Sequence, residues 1–304
     1  MELQGVRLLA EGLAFPEGPV ALADGTVLVV ELLAGRLSRV TPAGTEVVAE
    51  PGGGPNGAAI GPDGAVYVCN NGGMRNGGSG RIERVDLTTG IVERIIEEVE
   101  GEALRAPNDL VFDRFGGFWF TDFGRSTRRS SYSGAIYYVD ARGRPAEVVR
   151  PVDHPNGIGL SPGGATLYWA ETQTRRVVRR SISGPGVLAP TSGDSSVTVL
   201  RGQPLDERLL VTGLPGNRQL DSLAVDSGGH VVVGTLLDAG ITDVDPTDGS
   251  STLLRLPEWA ADRLVTNICF GGPRMQTAFI TLSETGRVVA CDWARPGLEL
   301  AFNA

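Results

Sequence analysis

Six times along this chain the same phrase recurs: an oxygen-bearing side chain, a short apolar run, a tight turn and a second apolar run. The copies are FPEGPVALADG (15–25), GPNGAAIGPDG (54–64), APNDLVFDRFG (106–116), HPNGIGLSPGG (154–164), QLDSLAVDSGG (219–229) and VTNICFGGP (265–273). Their polar positions are Glu17, Asn56, Asn108, Asn156, Asp221 and Asn267, spaced by 39, 52, 48, 65 and 46 residues. A repeat of this length constrains the fold more than any local propensity, because one unit cannot bury its own apolar face and must stack on its neighbours.

Each copy continues alike. After the turn comes a second apolar run (TVLVVE, AVYVCN, GFWFTD, ATLYWAE, HVVVGT, TAFITL), then in most copies a Gly-led third run and a fourth. Four short strands per repeat describe the blade of a β-propeller, and six repeats predict an all-β, six-bladed propeller forming a single domain over residues 1–304. The 43 glycines and 19 prolines suit the many tight turns this requires. Ring closure needs an outer strand for the last blade. VRLLAEG at 6–12 stands before Glu17 as a fourth strand would, with the segment from Leu298 onward as the competing candidate.

The phase of the repeat carries the chemistry. In a propeller the first strand of every blade lines the central channel, so the six polar positions converge at one end of the axis. Two carboxylates and several carboxamides gathered in a partly buried funnel need a cation among them. All the donors are oxygens, which favours calcium, magnesium or manganese by ligand softness. The alternative is a ring of polar groups that binds channel water and stabilises the propeller.

Other classes are excluded by what surrounds these motifs. A net charge of −9 and a pI near 4.9 oppose nucleic-acid binding. No G-x-S-x-G elbow, P-loop or dinucleotide fingerprint occurs in the sequence. The first residues lack the apolar core of a secretory signal, and no run reaches the roughly 20 apolar residues of a membrane span, so a cytoplasmic protein without a membrane partner is expected. Cys69, Cys269 and Cys291 lie in or beside apolar runs and are expected as buried free thiols.

The EGP around Glu17, the PND at Pro107–Asp109, the PNG at Pro155–Gly157 and the L-D-S-L-x-V-D at Leu220–Asp226 resemble the gluconolactonase/regucalcin (senescence marker protein) family of metal-dependent lactonases, over essentially the whole chain. The resemblance implies a six-bladed propeller with one divalent cation in the channel. Calcium is favoured, with magnesium, manganese, iron or zinc as other occupants. It further implies that Glu17, Asn156 and Asp221 are ligands, with Asn108 at or near the ion and in reach of substrate. The expected reaction is hydrolysis of a small sugar-derived lactone, with Asp221 as general base or as nucleophile. Asp-Ser at 221–222 replaces the family's usual Asp-Gly, and Ala106 stands where some sugar lactonases carry arginine, so the substrate transfers less directly than the metal site. A non-catalytic cation-binding propeller and an esterase or phosphotriesterase are the rival functions.

Second strands run back toward the polar end, which places Glu31, Asn70, Asn71, Asp122 and Glu171 on the rim, with Asn71, Asp122 and Glu171 as candidate substrate groups. The loops at 71–80 and 123–134 lie on the same face as candidate lids, with Arg125, Arg128 and Arg129 placed to meet an anionic product. His154 lies near the mouth and His230 at the far end. The stretch 183–207 falls at the opposite face as a structural element or subunit contact. A monomer or small homo-oligomer acting on a small molecule is expected.

Overall fold

The computed structural model describes residues 1–73, 78–126, 131–190 and 210–302. Six antiparallel sheets stand around one axis. Their inner strands are Pro16–Ala21, Pro55–Ile60, Pro107–Phe112, Pro155–Leu160, Gln219–Val225 and Val265–Gly271, and we number the blades 1 to 6 in that order. Each inner strand packs against the next, and that of blade 6 returns to that of blade 1, so the ring is closed.

Closure uses the N-terminus. Gln4–Ala10 pairs antiparallel with Arg287–Asp292 and becomes the outer strand of blade 6. The segment from Leu298 onward joins no sheet and crosses the end of the channel instead. A strand from one terminus in the blade of the other ties the ring where it would otherwise open.

Six apolar layers hold the ring, one between each pair of neighbouring blades. Every blade is thus covered on both faces, which explains why second strands such as Val27–Glu31 are buried at every position. Cys69 and Cys291 sit fully buried in these layers, whereas Cys269 turns partly toward the channel.

One device recurs in all six blades. Between the inner strand and the second strand the register slips at the polar position: Glu17 pairs with Val30 and Val20 with Leu28, three residues against two. The same extra residue appears beside Asn56, Asn108, Asn156, Asp221 and Asn267. A β-bulge bends its strand and re-aims a side chain. Here it does so at the residue that must face the axis. The bulge residue is often glycine because the next blade is so close. A Cβ on Gly18, whose φ is +48°, would stand 2.4 Å from the Asn56 carbonyl oxygen.

Candidate functional site

The bulges bring Glu17, Asn56, Asn108, Asn156, Asp221 and Asn267 to one end of the channel, all of them buried. Their hydrogen bonds divide them. Asn267 donates to Glu17 Oε2 at 3.1 Å while its own oxygen accepts the Ile268 N–H at 2.8 Å, so it supports Glu17 rather than facing the axis with a lone pair. Asn156 donates to Thr172 Oγ1 at 3.2 Å, and Ser222 Oγ lies 3.4 Å from its Oδ1. The hydroxyl that replaces a hydrogen at Asp-Ser is thus directed at the neighbouring Asn. The Oδ1 atoms of Asn56 and Asn108 are buried and accept no hydrogen bond among the described residues.

A third carboxylate joins the two anticipated ones. Asp109, the last residue of the PND motif, is buried at the bulge of blade 3, and a Cβ on Gly57 would meet its Oδ1 at 2.6 Å. Burial pushes Glu17 up to about 7, against hydrogen bonds from Asn267 and Gly18. Burial and the Glu17 charge likewise raise Asp109 to about 7, against the Leu110 N–H. Asp221 is pushed well above the carboxylate range by burial, then by Glu17 and Asp109. The opposing influences on these three are hydrogen bonds and not basic side chains, so among the described residues the cluster lacks a counter-charge.

These observations test whether a cation fits. Two buried carboxamide oxygens without donors among the described residues, beside three carboxyls whose charged forms burial disfavours and no basic side chain there offsets, make a set of hard oxygen donors that a cation would complete. No three His, Cys, Asp or Glu side chains among the described residues form a ligand cluster by themselves. A cation here would therefore need the carboxamides as well as the acids. The set fits a hard ion on those terms.

The rim divides differently from expectation. Asp122 is buried, and its two oxygens accept the N–H groups of Arg105 at 2.7 Å, Ala106 at 2.8 Å and Gly124 at 2.9 Å. With these bonds Asp122, expected as a substrate group, clamps the linker entering blade 3. Glu31 does the same in blade 1, accepting the Ala14 N–H at 2.8 Å, and Asn70 in blade 2, accepting the Gly54 N–H at 2.9 Å. Replacing Asp122 by Ala leaves three backbone donors without an acceptor, so we expect a loss of about 3–5 kcal/mol in urea unfolding. Molecules that remain folded should keep their cation affinity.

Glu171 alone of these strand ends stays partly exposed. It accepts from Thr174 Oγ1 at 2.6 Å and Trp169 Nε1 at 3.4 Å, and burial raises it above the usual carboxylate value. Asn71 closes a local turn by accepting the Gly73 N–H at 2.9 Å. Arg125 donates to the carbonyl oxygens of Asn71 at 3.3 Å and Gly78 at 3.4 Å, so it stitches the loop of blade 2 to that of blade 3. The tips of both loops, with Arg128 and Arg129, lie outside the described residues, as does most of 183–207. His154 adopts φ +45°, its Nδ1 2.5 Å from Asp153 Oδ1 and its ring 4.9 Å from that of Phe123.

Sequence reasoning passed over Asp109 and, as a site residue, Asn56. The signal for Asp109 was present: the residue after the polar position is Gly in blades 1, 2 and 4, and acidic only in blade 3.

Comparison with known proteins gives the chain its relatives. Residues 15–284 match the family described as SMP-30/Gluconolactonase/LRE-like region. A gluconolactonase of Zymomonas mobilis is 26% identical over 304 residues, covering 92% of this chain and 79% of that protein. The lactonase drp35 of Staphylococcus epidermidis is 30% identical over 191 residues, which span 61% of this chain and 56% of that one. A calcium-binding protein, regucalcin, from Agrobacterium tumefaciens shares the fold, with a TM-score of 0.77 at 19% identity over 99% of this chain and 98% of that one. No helix among the described residues is long and apolar enough to cross a membrane. Matched over most of its length, the chain belongs to the SMP-30/gluconolactonase/LRE-like family.

Proposed function

We propose that this protein is a divalent-cation-dependent lactonase that opens a small, sugar-derived cyclic ester to its hydroxy acid. The observation that carries the reading is the axial cluster: Glu17, Asp109 and Asp221 with the oxygens of Asn56 and Asn108, all buried and, among the described residues, without a donor to those oxygens or a basic partner for the acids. Glu17, Asn156 and Asp221 would hold the ion, with Asn108 beside them, and calcium suits an all-oxygen set. When bound, the cation supplies Lewis-acid polarisation of the ester carbonyl and charge for the developing oxyanion.

The remaining steps belong to the chain. Asp221 accepts the proton of the attacking water as the oxygen adds to the acyl carbon. The ring C–O bond then breaks, and the departing alkoxide takes up a proton to leave a hydroxy acid. A carboxylate beside a dication is ordinarily a weak base. Burial and the charges of Glu17 and Asp109 pull Asp221 the other way, so the cluster keeps it basic. Asn267 and Gly18 orient Glu17 through its Oε2. Glu171, held by Thr174 and Trp169, offers a carboxylate to substrate hydroxyls at the rim.

Chelated and re-metallated protein, assayed by proton release on a panel of aldonolactones and simple aryl esters, tests this directly. We expect lactone hydrolysis only in the re-metallated sample and a preference for hydroxylated rings. Cation bound stoichiometrically with no hydrolysis of any member would make the protein a binding propeller. Preference for apolar esters would move it to the esterase class.

A further inference from the structure

The two ends of the channel are finished in different ways. Beneath the polar ring lies a small, narrow cavity of about 80 Å³, lined by Asp109 and Asn267 and by apolar residues such as Val20, Leu110, Leu223 and Cys269. Its floor is not part of any blade. Leu298 and Leu300 supply it, from the segment that follows blade 6. We infer that Arg295–Phe302 is a stopper, which seals the far mouth of the channel so that the ring is reached from one face only and bulk water is kept from below it.

The segment is anchored at several points along its length. Arg295 Nε donates to Asp226 Oδ2, and Arg295 Nη2 donates to Asp243 Oδ2 at 2.7 Å. Asp226 is fully buried and also accepts the N–H groups of Gly228 at 2.9 Å and His230 at 3.0 Å, while His230 Nδ1 lies 2.9 Å from Asp243 Oδ1. The last aspartate of the L-D-S-L-x-V-D motif thus has a task at the far end: it latches the stopper to blade 5. The backbone then follows the blade ends, with Ser227 N–H donating to the Pro296 carbonyl at 2.9 Å, Gly297 N–H to Met275 at 2.7 Å and Leu298 N–H to Val225 at 3.1 Å. Gly297 is needed for this path, since a Cβ there would stand 2.1 Å from Phe270 Cβ.

On the other side of the axis Phe302 meets Phe112 edge-on at 5.8 Å and packs against the layers that flank blade 2. The segment therefore spans the channel from blade 5 to blades 2 and 3. A bridge fixed at both sides lays Leu298 and Leu300 across the mouth, where an open propeller channel would admit water freely.

Cys269 reports on the seal. Partly exposed, it lines the cavity, and burial holds its thiol up at about 12. Cys69 and Cys291 lie inside sheet layers and serve as internal controls. Only the expected effect on the ion rests on the functional reading above; the seal itself does not.

The test is alkylation of the native, full-length protein by iodoacetamide, mapped by mass spectrometry. It is repeated on Leu298→Ser/Leu300→Ser and on Arg295→Ala, each checked by circular dichroism for a native sheet signal. Cys269 should be inert in the parent and react roughly tenfold faster or more in either variant, with Cys69 and Cys291 unchanged, because opening exposes one channel wall and not the layers. Calcium affinity, read by calorimetry on the same samples, should weaken about three- to tenfold as water reaches the cluster from below. Rapid labelling of Cys269 in the parent would overturn the seal. So would an unchanged rate in both variants, or simultaneous labelling of all three thiols, which would make the segment a general support of the fold. Loss of lactone hydrolysis with the labelling pattern intact would count against the proposed reaction alone.

Discussion

Replacing Asp221 by Asn should reduce lactone turnover by about 10³-fold or more at saturating cation. The substitution keeps the size of the side chain and a carbonyl oxygen, so the bulge of blade 5 and the Ser222 contact to Asn156 have no reason to move. It removes the only features an aspartate brings to the chemistry, a charge and a basic oxygen. Whether Asp221 takes a proton from water or attacks the acyl carbon itself, the amide can do neither. Part of any loss at low cation would come from weaker binding, since one of the three charges that draw the ion to the ring is gone. The assay must therefore be run across a cation titration. A fall in kcat that persists at the plateau identifies the chemical role, and a plateau equal to that of the parent reduces Asp221 to a ligand. Glu171→Gln offers the contrast: with Glu171 partly exposed and outside the axial cluster, we expect KM for a hydroxylated lactone to rise about tenfold with kcat little changed.

How far the sequence could be read depends on which physical pattern each feature follows. The six blades were legible because a repeat writes its period into the chain, and the polar phase was legible because one oxygen-bearing residue marks each inner strand. The closing strand was legible as the segment 6–12, and the structure set its bounds at Gln4–Ala10 and chose it over the segment from Leu298. Two things were not legible. The bulge leaves only a faint residue signature, Gly after the polar position in three blades and Asp, Ser or Ile in the others, so the one acidic exception, Asp109, was easily passed over. The structural task of the rim residues was hidden for another reason. Strand direction places Glu31, Asn70 and Asp122 at the correct end, but it does not say that the linkers before each inner strand present unpaired N–H groups, which these side chains satisfy. A carboxylate at a strand end answers to the nearest backbone donor before it answers to a substrate.

The charge of the axial cluster should make the stability of the cation-free protein fall as pH rises, opposite to the usual acid response. In the folded protein Glu17 is raised from 4.5 to about 7 and Asp109 from 3.8 to about 7, with burial the leading cause for both. The folded state therefore binds protons more tightly than the unfolded chain between about pH 4 and pH 7, and by linkage unfolding becomes easier as those protons leave. For Glu17 alone the shift corresponds to about 3 kcal/mol at most, and the three acids titrate as one coupled set. Carboxyls held down by partners, such as Asp140 at about 2 beside Arg144, respond below this window and do not mask it. The expected result is a thermal midpoint in chelator that drops by several degrees, about 5 °C or more, from pH 5 to pH 8. Saturating calcium takes the place of the protons, adding about 2.7 kcal/mol at a hundredfold excess over Kd, so the drop should vanish in its presence. The gain from calcium should accordingly be large at pH 8 and small at pH 5, with proton release on binding in between. Glu17→Gln removes one buried charge, and it should flatten the chelator profile while blunting the response to calcium. Superimposable profiles with and without calcium across this range would mean that the buried carboxylates meet no cation at the axis, and the ring would then be a store of protons and water.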